Sequence, residues 1–121
     1  MEKEEFKALI QQYRWLLPSA NKFYDWPSGW DEIVVQLVKD LQEEICPPNY
    51  VQLVQIKEKY GQLRILFHEG TDSMKGKIKA TEERSLTICQ KCGADDAKSF
   101  TKGHRCYTLC SDCIQNEEKI D

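Results

Sequence analysis

Residues 89–113 read CQKCGADDAKSFTKGHRCYTLCSDC, and this stretch decides the fold. It contains Cys89-x2-Cys92, then seventeen residues, then Cys110-x2-Cys113. Two CxxC pairs at such a separation are the spacing of a four-Cys metal site. The chemistry explains the pattern. Zn²⁺ takes four soft ligands at tetrahedral corners, about 2.3 Å from each sulfur, and one CxxC turn delivers two thiolates from a single tight loop. Gly93, directly after Cys92, lets the backbone curl beneath the metal with positive φ. Backbone N–H groups in that curl are placed to donate to the sulfurs. Four Cys ligands leave no open position for water, so the expected metal is one structural Zn²⁺ held by Cys89, Cys92, Cys110 and Cys113.

Between the pairs, AKSFTKGHRCYTL reads as a hairpin turning near Lys102-Gly103. After Cys113, IQNEEKI reads as a helix that Ser111 or Asp112 can begin. Cys113 then lies in its first turn, where the dipole favours a thiolate. Knuckle, hairpin and helix in this order resemble a treble-clef finger, and a zinc ribbon is the simpler alternative. His104 and Cys106 compete as ligands, but two intact CxxC pairs already close the shell, so Cys106 is read as a hairpin residue. Cys46, beside Pro47, is read as a small core residue.

Working outward, residues 72–86 are expected to form a connector helix capped by Asp72 or Ser73, with a thin apolar content of Met74, Ile78, Ala80 and Leu86. Residues 51–56 and 63–68 read as two strands joined by KEKYGQ, whose Gly61 suits a turn. On the second strand Leu63, Ile65 and Phe67 share one face. A further helix runs to about Ile45 on the stripe Ile33, Val34, Leu37, Val38, Leu41 and Ile45, started by Ser28 or Asp31 and ended by Pro47-Pro48. Residues 2–17 carry a similar stripe and form the first helix of the pair, ended by Pro18. The expected fold is α+β: an N-terminal helix pair with a β-hairpin over residues 1–86, and a four-Cys finger over residues 87–121.

Composition narrows the function. The chain has 121 residues, 40% of them hydrophobic and 31% charged, enough for a modest core and unlike a disordered chain. No apolar run of about 20 residues is present to span a membrane. The acidic start MEKEEFKALIQQ is no export signal, so the expected compartment is the cytoplasm, where thiols stay reduced. The formal net charge is −3, and a four-thiolate zinc centre makes the chain more acidic still, which disfavours general nucleic-acid binding. The charge is uneven: residues 51–88 hold 7 basic and 5 acidic groups, so a local basic face is compatible with the total. A Gly-rich phosphate loop, GxSxG and HExxH are all missing, and the expectation is a protein without enzymatic activity.

Two segments are candidate contact surfaces. The loop PSANKFYDWPSGW, residues 18–30, offers Tyr24, Trp26 and Trp30 as anchors of the kind that dominate protein interfaces, with Trp30 the foremost candidate for the core. The finger hairpin offers Lys98, Lys102 and Arg105 to phosphates, with Phe100 and Tyr107 as stacking groups. The competing reading of both is ordinary packing and solvation.

PSGW at residues 27–30, IKEKYGQLRILF at 56–67, EERSLTICQKCG at 82–93 and LCSDC at 109–113 together resemble a group of small phage and prophage proteins of unassigned function. That group shares a core ending in a similar strand pair and a C-terminal four-Cys finger. The resemblance spans roughly residues 26–113 and implies a phage-type accessory protein in the host cytoplasm. Accessory proteins of this kind bind and block host proteins, including defence components. A host or phage protein is therefore the expected partner, ahead of nucleic acid.

Overall fold

The structure is a computed structural model and describes residues 24–119, with side chains to residue 116. The expected helix over residues 2–17 lies outside the described residues. The element order is β1 (Tyr24–Asp25), a 3-10 turn (Ser28–Trp30), α1 (Asp31–Glu44), β2 (Val51–Lys59), β3 (Gln62–Glu69), α2 (Asp72–Arg84), a second 3-10 turn (Ser85–Thr87), β4 (Lys98–Lys102), β5 (Arg105–Leu109) and α3 (Ser111–Lys119). Mixed α+β architecture is thus observed, with three helices and two small sheets among the described residues.

The first sheet has the order β1-β2-β3, with β1 parallel and β3 antiparallel to β2. Its hairpin turns on Tyr60 and Gly61, both at positive φ, which matches the twist of the flanking strands. The sequence VQLVQI poses a problem that the backbone solves. Strict alternation would put Val51 and Leu53 on one face and Ile56 on the other. A β-bulge between Leu53 and Gln55 inserts Val54 as an unpaired residue, and the face switches. Val51, Leu53 and Ile56 are therefore all buried on the same side, together with Leu63 and Ile65 of β3.

Helices α1 and α2 cover that side. The α1 stripe Ile33, Val34, Leu37, Val38 and Leu41 is buried as its periodicity predicts, and Val35 joins it, widening the apolar face beyond a single stripe. Residues 72–84 are a core element rather than a connector: Met74 and Ile78 are buried against the sheet, whereas Ala80 and Leu86 are exposed. The cap is Thr71, not Asp72 or Ser73. Its Oγ1 accepts the Met74 N–H at 3.2 Å. Lys77 and Glu44 pair at 2.5 Å and tie the end of α1 to α2. Cys46 is exposed, contrary to the expectation of a core position. It opens a tight turn with Asn49, Cys46 N–H to Asn49 O at 3.1 Å, that carries it away from the core.

The outer edge of β3 would leave main-chain donors unpaired, and α2 and the 3-10 turn that follows it supply their acceptors. Glu82 Oε2 accepts the Ile65 N–H at 2.8 Å, and Ser85 Oγ accepts the Leu63 N–H at 2.9 Å while donating to Glu82 O at 2.6 Å. Side chains thus take the place of a fourth strand. Ser85 is fully buried, so Ser85→Ala strands a main-chain donor, which costs about 1–3 kcal/mol. Urea unfolding of the metal-loaded chain should show that loss. A change below about 0.5 kcal/mol would mean that water takes over the bond.

Candidate metal centre

The finger begins where the main core ends. Ile88 is the last member of the large apolar cluster, and Cys89 the first of a small one that contains Ala97, Leu109 and Cys110. The knuckle folds on itself through Cys89 N–H to Ala94 O at 2.7 Å and Gly93 N–H to Cys89 O at 2.9 Å. Gly93 has φ +83, the positive φ expected of it. β4 and β5 form the expected hairpin, turning at Gly103-His104, and α3 starts at Ser111 with Cys113 in its first turn.

These elements bring the four expected sulfurs together. Those of Cys89, Cys92, Cys110 and Cys113 all lie within 4.8 Å of one another, and Cys92 Sγ is 3.5 Å from Cys110 Sγ. The edge of a tetrahedron of sulfurs about 2.3 Å from a central ion is about 3.8 Å, so the four residues fit a metal ion in number, kind and spacing. Cys106 and His104 stand outside the cluster, Cys106 half-buried on β5 and His104 exposed in the turn.

Without a metal, Cys89, Cys92 and Cys113 divide unequally. Burial pushes the Cys89 thiol up, but backbone N–H groups of Cys110, Cys92 and Lys91 outweigh it and bring the pKa down to about 6. Cys92 receives an N–H from Ala94, yet its neighbours Cys110 and Cys89 and its burial hold it above the ordinary thiol value. Burial and then the other three sulfurs raise Cys113 strongly. A bound dication is what allows all four to ionise together, with release of protons.

The contacts that fix the finger to the core were not visible in the spacing. The Gly29 N–H donates to Gln90 O at 2.9 Å, and the Trp30 indole N–H to Ile88 O at 2.8 Å. A Cβ at Gly29 would collide with the main-chain carbonyls of Cys89 and Gln90, so this close approach needs glycine. Gln90, buried between two ligands, pairs with Thr108 twice: its N–H to Thr108 O, and its Oε1 from Thr108 N–H, both 2.9 Å. Thr108 Oγ1 donates to Gly61 O, joining the finger hairpin to the turn between β2 and β3.

The candidate contact residues separate. Tyr24 and Trp30 are buried, with the Tyr24 hydroxyl donating to Leu53 O at 2.6 Å, so neither can anchor a partner as expected. Trp26 is half-buried and donates from its indole N–H to Asp31 Oδ1 at 2.8 Å. Lys98, Lys102 and Arg105 share one face of the finger hairpin by register. Phe100 and Tyr107 pack on the finger core with ring centroids 6.4 Å apart, which occupies the faces a base would stack on.

Comparison with protein-family models, with curated proteins and with solved structures returned no match.

Metal content tests the ligand set directly. Cys89→Ser should abolish stoichiometric metal in the purified chain, and Cys106→Ser should leave it unchanged. Metal retained by the first and lost by the second would require a different set. Gly29→Ala, which touches no sulfur, should destabilise the chain by about 1–3 kcal/mol and speed metal loss to a chelator. Unchanged chelator kinetics would show that the junction does not support the metal centre.

Proposed function

We propose that this chain is a non-enzymatic binding protein held in shape by one structural Zn²⁺, and that its partner is another protein. The observation that carries the reading is the closed four-sulfur cluster bonded through Gln90 and Ile88 to the core. Four thiolates suit Zn²⁺ and leave no coordination site for a substrate. The order of knuckle, hairpin and short helix supports a treble clef over a ribbon. Zinc in such small modules supplies roughly 10–16 kcal/mol of folding free energy, so the ion serves here as the core of the finger. Reduced thiols in this arrangement fit a cytoplasmic setting. The phage-type accessory role, with a host protein bound and inhibited, rests on the resemblance of the four quoted segments.

The competing reading is a nucleic-acid regulator using Lys98, Lys102 and Arg105. Its support is the shared face of those three cations. Against it stand the packed aromatics and the acidic total.

Affinity capture from a bacterial lysate, with and without nuclease, separates the two. A protein retained after nuclease, lost from the chelator-stripped chain and recovered on adding zinc supports the proposal. Complete loss on nuclease treatment, together with steep salt dependence and sensitivity to charge reversal of the three finger cations, would establish the competitor instead. Zinc analysis should give about one equivalent per chain.

A further inference from the structure

The three-stranded sheet has a second face that no other described element covers. Both helices lie on the side of Leu53 and Ile65. On the other side, cross-strand pairing sets Asp25, Lys57 and Arg64 in one row and Gln55 and Leu66 in the next, with Gln52 opposite His68. Lys57, Lys59, Arg64 and His68 are exposed, and Leu66 stands among them with 52% of its surface open to solvent. A solvated sheet face commonly alternates polar residues, but an open leucine between Arg64 and His68 on its strand, with Lys57 diagonal to it, is a different pattern. Beside it runs a groove of about 450 Å³ between Trp26 and Pro27 on one wall and Gln55 and Lys57 on the other.

We propose that this face, with the groove beside Trp26, is the docking surface for an acidic protein segment that carries an apolar anchor residue. The proposal rests on the protein-binding reading above and names the surface and the chemistry of the partner. Charge complementarity carries it: three fixed cations, Lys57, Lys59 and Arg64, against one acid, Asp25, gather on one face of a chain whose total is −3. Leu66 supplies apolar contact in the middle of the face, and Trp26, which packs against the main core, lends its half-exposed edge to the groove alongside, the arrangement of an anchor site within a polar rim. The pattern distinguishes a peptide from a polyanion. Asp25 and Glu58 line the groove, and a continuous phosphate backbone would meet them at close range. A segment with discrete carboxylates can place them over Lys57 and Arg64 and avoid both acids. The main-chain donors of Leu63 and Ile65 at the β3 edge are taken by Ser85 and Glu82, so recognition there is by side chains.

The test uses the full zinc-loaded chain and a displayed library of random 12-residue peptides. Enriched peptides should be acidic with one large apolar residue. Their affinity should fall at least about tenfold in the double variant Lys57→Glu/Arg64→Glu and in Leu66→Ser. Both variants alter exposed side chains, and an unchanged melting temperature would confirm that the fold is intact. Should either lose stability, Lys57→Gln/Arg64→Gln replaces it with the same expectation of weakened binding. Reversal of Lys98 and Lys102 on the finger should leave affinity unchanged. Peptides that bind equally well to the sheet variants would overturn this surface while leaving the protein-binding reading in place. A 20-nucleotide single strand that binds the chain and is lost in Lys57→Glu/Arg64→Glu, with no peptide enriched, would overturn both. Self-association that the same double variant abolishes would make the occupant a second copy and overturn the acidic segment. Absence of binding by every probe would overturn it equally.

Discussion

The indole of Trp30 is the hinge pin of this structure. It is fully buried, opens α1, and gives its N–H to the carbonyl of Ile88, the residue before the first sulfur ligand. The finger's own apolar cluster is too small to fold alone: two cysteines, Ala97 and Leu109 are its buried members among the described residues. Domains of that size depend on a metal or on a neighbour. Here the two supports act in series. A metal held by the four sulfurs would fix the position of Cys89, Cys89 and Gln90 fix Gly29, and Trp30 follows into the core. Coupling of this kind makes metal binding a contribution to the stability of the whole described chain, and not only of its tail.

The sheet obeys a related constraint. A hairpin of two strands is barely stable in water, and the two-residue β1 adds little pairing. Stability comes from α2 and the 3-10 turn after it, which bury Met74 and Ile78 beneath the sheet and turn Glu82 and Ser85 toward the donors of β3. An edge satisfied by side chains cannot recruit another strand, so aggregation through that edge is blocked. The outward face pays no such cost, because its residues need only be soluble. Cations collect there because nothing in the fold requires them to be elsewhere.

Local periodicity made much of this legible. The helical spacing from Ile33 to Leu41, the alternation of Leu63, Ile65 and Phe67, and the two CxxC pairs each encode their own surroundings within a few residues. What stayed hidden was long-range. The bulge at Val54 answers to the partner strand, the burial of Val35 to neighbours beyond the stripe, and the glycine at 29 to a carbonyl sixty positions later. Tyr24 looks like a loop aromatic in sequence, and becomes core because β1 pairs with Ile56 and brings its hydroxyl to Leu53. Cys46 fails in the opposite sense: its apolar character suggested burial, and the turn to Asn49 carries it outward.

Charge then separates the roles of the two halves. A Zn²⁺ with four thiolates is a dianionic centre, and the finger sequence that surrounds it, residues 89–121, holds 5 basic and 6 acidic groups. With such an ion bound, its lysines and arginine would offset a local negative field before they could attract phosphate. Residues 51–88 hold 7 basic and 5 acidic groups with no such centre among them, and Glu82, one of the five acids, is turned toward β3 and away from the open face. On the open sheet face itself Lys57, Lys59 and Arg64 outnumber the one acid Asp25. In this reading the finger supplies rigidity, and the sheet supplies the surface.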